Sequence, residues 1–459
     1  MAAAALRFDE FDTDIPAISR AASRLDPYWG RLWVPGSQAV WQTGLGYTNS
    51  RSPLESTGEK SPRPRPAEPG EHVDITSWLG HPTKRGTRLA ALSALDSWRT
   101  ITSEQVCAIT GSKEFATVNS RNFVGRLFQA GLIDIGSFPR PFGSSPARLY
   151  RPAPTNVFEQ RLAPHLTGPE AIAVHGDYGW SAGHQYDRHN LLATELGLRV
   201  AEFTGMTVLG EKYASVDLLT GVGLGKPAVR AGGKTGDAVI VRDDGLRIVV
   251  EITASYSAGL EAKMERWAKV LHDNPMETSG LVVLFVVAAH PDASRKGSSP
   301  ATVMAGARKR MATALRHYPA YSTDAPPARM GLVAWDQWFP ASHCFSTQFL
   351  DGTVEILDSY TRTWSSTDLF LGMEFDPWPG FDATAVLTQV QAIGATPHWM
   401  RTLCSGDVLG LPSQRLGMPC PTASGSRQGI GVALNDTVGP TRPPARLHDP
   451  LGVGTRSRR

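Results

Sequence analysis

The sequence predicts a mixed α/β chain (α+β) with two folded parts of different texture. Three observations carry that expectation. Between residues 86 and 152, helical periodicity gives way to two short strands. Between 186 and 340, β-branched runs alternate with amphipathic helices. Residues 50–71 are rich in Pro, Ser, Glu and Arg, and 412–459 in Gly, Pro, Ser and Arg, compositions unsuited to a packed core. A chain of 459 residues, 41% of them hydrophobic, has ample material for more than one core.

The amino-terminal segment 1–49 carries Trp29, Trp33 and Trp41, which are expected to dock on a later domain or on a partner. Residues 50–85 are expected to be a flexible linker, opening with SRSPLESTGEKSPRPRPAEPGE. Residues 341–411 form an accessory region, and 412–459 a disordered basic tail with six arginines and two aspartates from Pro421 onward. No internal repeat is present.

Residues 86–152 come first among the folded parts. Leu89, Leu92 and Leu95 recur on one face of a first helix. Thr102-Ser103-Glu104-Gln105 is a capping-box pattern that opens a short second helix, and Gly111 closes it. A third helix is expected over 116–130, with Phe123, Val124, Leu127 and Phe128 inward and Asn122, Arg126 and Gln129 outward. GLIDIGSF and ARLYRP follow as strands around a loop. That is the element order of a winged helix-turn-helix, whose third helix enters the DNA major groove, where Asn and Arg read base edges. Arg121, Asn122 and Arg126 are the candidate contacts there, with Arg140 and Arg148 on phosphates from the wing. From 84 to 152 there are ten Lys/Arg against four Asp/Glu, a balance of +6, although the whole chain carries only +3. A local basic excess favours a polyanion, here double-stranded DNA, over a winged helix used for protein contacts.

The second folded part, taken as 170–340, reads in order as helix, hairpin, helix, strand, helix, strand. The first helix is YDRHNLLATELGLRVAEF, and the hairpin is GDAVIVRDDGLRIVVEIT. In the next helix Leu260, Met264, Trp267 and Leu271 face inward. GLVVLFVVA is apolar on both faces, as at the centre of a sheet. The result is a mixed sheet with helices on its faces. Within the hairpin, Asp243-Asp244-Gly245 suits a three-residue turn with Gly at the positive-φ position. Pairing Arg242 with Leu246 then sets Asp237 opposite Glu251 on one face. Opposed like charges repel, and a bound divalent cation such as Mg²⁺ removes the repulsion. The plain alternative is two acids at frayed strand ends.

An Asp opening one strand, a Glu on the next and an acid from the preceding helix resemble the core of the PD-(D/E)xK nucleases. The resemblance implies a restriction-endonuclease-like sheet after the winged helix. It implies a catalytic set of Asp237, Glu251, Lys263 and Glu195, with Glu202 as the other helix acid and with Asp237 and Glu251 holding Mg²⁺. Thr253 occupies the place of the strand lysine, and Lys263 on the next helix is its substitute. The wider order resembles the replication-relaxation family of actinobacterial plasmids and mobile elements. Its carriers are a winged helix, His189-x-Leu191, Gly236-Asp237-Ala238, Glu251-Ile252-Thr253, and Lys263 four residues before Trp267. That family usually has Pro-Asp-Ala, Glu-x-Asp and Lys-x-x-x-Tyr at those points, so Gly236, Thr253 and Trp267 depart from its pattern. The resemblance spans residues 85–340 and implies action on plasmid DNA in replication, transfer or DNA processing. Two functional classes follow: a Mg²⁺-dependent endonuclease or nickase, or a non-enzymatic initiator or regulator that uses the fold as a scaffold.

Other chemistries lack their residues. Histidine-metal relaxases need closely spaced histidines, and no His-x-His occurs; His175, His184 and His189 are too far apart, and Tyr256 and Tyr360 have no metal cluster beside them. Gly221 to Pro227 does not have the spacing of a phosphate loop. Cys107, Cys344, Cys404 and Cys420 show no metal or disulfide spacing and suit reduced, cytoplasmic thiols. No apolar run reaches the ~20 residues of a membrane span, and the start lacks a secretory apolar region. The expected partners are therefore double-stranded DNA, a second copy of the chain, and replication or transfer proteins, with no membrane.

Overall fold

The computed structural model describes residues 5–11, 15–30, 39–43, 74, 76–119, 121–138, 148–153, 156–176, 179–180, 187–215, 219, 235–255, 257–275, 277–290, 299–319, 329–358, 361–373, 393 and 395–400. They divide into two compact units. One draws on residues 14–202 and 388–441, the other on 1–13, 203–387 and 442–459. The first is called the helical unit here and the second the sheet unit; β1 (Ala5–Arg7) belongs to the sheet unit.

In the helical unit, β2 (Val40–Thr43) precedes α1 (Thr76–Leu79) and α2 (Pro82–Trp98). Then come β3 (Ile101–Thr102), α3 (Ser103–Thr110), α4 (Phe123–Gln129), β4 (Ile133–Ser137) and β5 (Leu149–Pro152). α5 (Gly168–His175) and α6 (Asp187–Phe203) follow. The strands form an antiparallel sheet in the order β2-β4-β5-β3. α3 opens as its sequence predicts: Gln105 N–H donates to Thr102 Oγ1 at 3.0 Å, and Thr102 N–H donates to Gln105 Oε1 at 3.0 Å. Gly111 closes it at φ 69°. Leu89, Leu92, Leu95 and Trp98 of α2 are buried, as are Phe123, Leu127 and Phe128 of α4. α6 crosses close to Trp98 because residue 197 is glycine; a Cβ there would meet the Trp98 ring at 2.5 Å.

Three expectations change in this unit. The stretch taken as linker through residue 85 is already helical from Thr76, and Pro82 stands at the start of α2, where its missing N–H costs nothing. α4 begins at Phe123, not near 116, because Asn122 caps it: Oδ1 accepts Gly125 N–H at 2.9 Å and Nδ2 donates to Thr117 O at 2.5 Å. The sheet gains a fourth strand, β2, from the amino-terminal segment. Trp41 of β2 does dock on a later element. Its ring covers Gly136 and lies 4.1 Å from the Arg151 guanidinium, and its Nε1–H donates to Asp187 Oδ2 at 2.9 Å. Trp33, the linker from 50 to 73 and the tail from 412 lie outside the described residues.

In the sheet unit the chain order is β6 (Thr207–Gly210), β7 (Ala238–Val241), β8 (Arg247–Thr253), α7 (Ala258–Asp273), β9 (Leu281–Val287), α8 (Pro300–His317) and β10 (Arg329–Ala334). It continues with α9 (Trp335–Trp338), β11 (Cys344–Ser346), α10 (Thr347–Asp351), β12 (Thr353–Asp358) and β13 (Trp364–Asp368). Seven strands make one mixed sheet in the order β13-β12-β10-β9-β8-β7-β6. β8, β9 and β10 are parallel, and the outer pairings are antiparallel. The sheet therefore runs past residue 340 into the stretch read as accessory. β9 is buried along its whole length, as its unbroken apolar run predicts; each such side chain contributes roughly 1.5–3 kcal/mol when fully buried. β1 pairs with β11, and Phe8 stacks on Phe345 with centroids 5.9 Å apart. No helix among the described residues is long and apolar enough to cross a membrane.

Candidate catalytic site and nucleic-acid interface

The hairpin adopts the register read from its sequence. Ala238 pairs with Val250 and Val239 with Val249. Arg242 N–H donates to Leu246 O at 2.9 Å, and Gly245 takes φ 85°. Asp237 lies just before β7, and its N–H donates to Val250 O at 2.7 Å. Its carboxylate Oδ2 accepts Ile252 N–H at 2.6 Å, which ties the acid to the strand that carries Glu251. The preceding residue must be small: a Cβ on Gly236 would meet Val249 Cγ1 at 2.4 Å and Val250 O at 3.0 Å. Glycine at 236 thus permits the close backbone approach that sets Asp237 beside β8.

α7 brings two side chains to Glu251. Ser257 caps the helix by accepting Leu260 N–H at 3.3 Å. Lys263 and Trp267 are one turn apart and so share a face. Lys263 Nζ donates to Glu251 Oε2 at 2.5 Å, and Trp267 Nε1–H donates to Oε1 at 2.7 Å. The Glu251 side chain is 2% exposed, whereas that of Lys263 is 35% exposed, so the site opens toward solvent on the lysine side. Asp237 is half-buried. Burial is the main reason the Glu251 carboxyl is pushed up to about 7; the Lys263 ammonium opposes that rise and Asp237 adds to it. Lys263 is itself raised: burial lowers it, but the attraction of Glu251 and Asp237 outweighs burial.

The donor set fits a hard divalent cation. Mg²⁺ takes one or two protein carboxylates and completes its shell with water and phosphate oxygens. Asp237 and Glu251 supply two carboxylates against one ammonium, a local charge of −1. Among the described residues, no group of three or more His, Cys, Asp or Glu gathers at one point.

The helix acids expected to join them are engaged elsewhere. Glu195 Oε1 accepts from Arg24 Nη2 at 3.1 Å and Arg199 Nε at 3.1 Å, while Oε2 accepts from Arg24 Nε and Gln105 Nε2, each at 3.3 Å. Glu202 Oε2 accepts Ala21 N–H at 2.8 Å and lies 3.6 Å from Arg24 Nη1. Asp26 Oδ2 lies 2.9 Å from Arg199 Nη2. All of these residues belong to the helical unit. The assignment of Glu195 as a catalytic acid is therefore withdrawn, and with it Glu202. Both are members of an arginine-bonded cluster that fastens residues 15–30 to α6. The i,i+4 spacing of Glu195 and Arg199 is a sequence signal for part of this role, but the Arg24 that joins Glu195 to Glu202 lies 171 positions from Glu195.

The helical unit disposes its expected DNA contacts unevenly. Arg121 is exposed in the turn before α4, with its N–H held by Asn119 Oδ1 at 2.9 Å. Asn122 uses both ends of its amide on the helix cap and the preceding turn. Arg126 is half-buried, its guanidinium 5.1 Å from the Trp78 ring centroid. Arg148 is half-buried immediately before β5, and Arg140 lies outside the described residues. Reading the sequence missed Trp267 as a hydrogen-bond donor and saw only its burial; the four-residue spacing from Lys263 was the available signal.

No family model, curated protein or solved structure matches this chain.

Proposed function

We propose that this chain is a double-stranded-DNA-binding protein that processes DNA, with Asp237, Glu251 and Lys263 forming a phosphodiester-hydrolysing site. The observation that carries this reading is the contact of Lys263 Nζ with Glu251 Oε2 at 2.5 Å, together with an Asp237 carboxylate that accepts the N–H of Ile252, the residue after Glu251. Phosphoryl transfer needs anionic ligands for a cation and a positive group near the attacking water or the phosphate. A lysine reaching in from α7 supplies the charge that Thr253 cannot. When bound, Mg²⁺ lowers the pKa of its water and offsets phosphoryl charge. Asp237 and Glu251 would hold the cation, Trp267 Nε1–H fixes the Glu251 carboxylate, and the partly exposed Lys263 ammonium would orient the phosphate.

The element order of the helical unit, its sheet pairing and its basic excess support winged-helix binding of duplex DNA. The likeness to the replication-relaxation family supports a role at plasmid or mobile-element DNA. A second reading, a non-enzymatic initiator or regulator, is favoured by one specific observation: both Glu251 oxygens already have donors, Lys263 and Trp267. A supercoiled-plasmid cleavage assay with Mg²⁺ or Mn²⁺ separates the two. Cleavage by the wild type and its loss in Asp237→Ala is the expected result. Binding without cleavage selects the scaffold reading, and cleavage that survives the substitution removes the site.

A further inference from the structure

A groove of about 700 Å³ runs along the helical unit between the amino-terminal half of α2, the turn at Lys113–Phe115 and the turn before α4. We infer that this groove takes the sugar-phosphate backbone of duplex DNA, with Lys84, Lys113 and Arg121 as its phosphate contacts. The inference rests on the DNA-binding reading above and adds a surface outside α4.

Charge is the first argument. The lining holds Lys84, Arg88, Lys113 and Arg121 against a single acid, Glu114. That acid is already matched: Glu114 Oε1 accepts from Arg88 Nη2 at 2.6 Å and from Arg88 Nε at 3.1 Å. Lys84 Nζ approaches the same oxygen only at 3.9 Å, with a side chain 51% exposed, and is left to face solvent. Lys113 and Arg121 are exposed and have no ion pair among the described residues. Four cations along a groove wall against one acid are the electrostatic footprint of a polyanion.

Lining chemistry is the second argument. Small-molecule sites are mostly apolar, with a few polar groups. Here Trp78 is the one aromatic of the lining, and it is covered by the Arg88 and Arg126 guanidiniums at 5.6 and 5.1 Å from its centroid. The hydroxyls of Thr83, Thr87, Ser112 and Thr117 line the rest. Hydroxyls and cations on an open wall suit phosphate and sugar oxygens, which position a protein on DNA without reading its sequence. Continuity is the third argument, since Arg121 belongs both to this groove and to the turn that leads into α4.

The test measures duplex binding by fluorescence anisotropy across a salt series, comparing the full chain with Lys84→Ala/Lys113→Ala. Both lysines are exposed, so the double variant should keep its thermal transition. Each lost phosphate contact lowers the slope of log K against log salt by about 1, so the variant's slope should fall by about 2. Affinity should drop about tenfold or more at low salt, equally for all duplex sequences. An unchanged slope and affinity in the variant, with wild-type binding intact, overturns this inference alone. A rise in Tm with inorganic phosphate that duplex DNA does not reproduce also overturns it, in favour of a small-anion site. A wild type that binds no duplex at any salt overturns the DNA-binding reading itself.

Discussion

Two buried acid clusters, one in each unit, carry the same residual charge and resolve it differently. In the helical unit, Asp26, Glu195 and Glu202 meet Arg24 and Arg199, for a net −1. In the sheet unit, Asp237 and Glu251 meet Lys263, also a net −1. Each cluster holds one acid pushed up to about 7, Glu202 in the first and Glu251 in the second, with burial as the main cause in both. The difference is access. Every side chain of the arginine cluster is at most 2% exposed, so its excess charge is relieved only by a proton. The lysine site opens to solvent beside a half-buried aspartate, so an ion from solution can relieve it instead. Arginines with planar forks suit the sealed, permanent pairing, and a flexible ammonium suits a site whose occupant changes.

The two clusters should differ most at Arg24. Removing one partner of a buried pair leaves an uncompensated charge and costs about 3–5 kcal/mol. Arg24→Ala should lower the denaturation midpoint of the helical unit by that measure. Lys263→Ala should cost less, because it leaves one buried carboxyl, Glu251, already pushed up to about 7 and able to take up a proton, whereas Arg24→Ala leaves both Glu195 and Glu202 without that partner. Equal losses in chemical denaturation would show that the two clusters do not differ in kind.

A smaller difference between the clusters should appear with pH. Both raised acids hold a proton more tightly folded than unfolded. Their contribution to stability is complete below the ordinary glutamate value of 4.5 and is lost as pH rises through about 7. Between those limits each costs on the order of 1–3 kcal/mol. Glu202→Gln should flatten the helical unit's share of that decline whether or not Mg²⁺ is present. The share belonging to Glu251 should shrink when Mg²⁺ is added. Denaturation midpoints against pH, with and without Mg²⁺, read both; a Glu202 share that responds to Mg²⁺ would defeat the distinction.

Local patterns in the sequence were legible where a short-range rule applied. β-branched runs on either side of Asp-Asp-Gly set the hairpin register from Ala238–Val250 to Val241–Arg247. The four-residue spacing of Lys263 and Trp267 placed both on one helix face. Thr102 and Gln105 announced the start of α3. Long-range partners were not legible. Glu195 and Glu202 read as candidates for the preceding-helix acid of the site because nothing near them in sequence reveals Arg24. Asn122 read as a base contact on a longer helix, since its capping bonds to Gly125 and Thr117 depend on where that helix begins. Trp41 carried a docking signal with no address, and its partners Gly136, Arg151 and Asp187 were supplied only by the folded chain.

The sharpest difference between the clusters should be that the open one takes a divalent cation and the sealed one does not. Calorimetric titration of the full chain with Mg²⁺ or Mn²⁺ at a pH above 7 tests this most directly, because Glu251 is then ionised. The predicted result is one binding event in the wild type, retained in Glu202→Gln and abolished in Asp237→Asn. Identical isotherms for the wild type and Asp237→Asn, or no binding by the wild type, would contradict it.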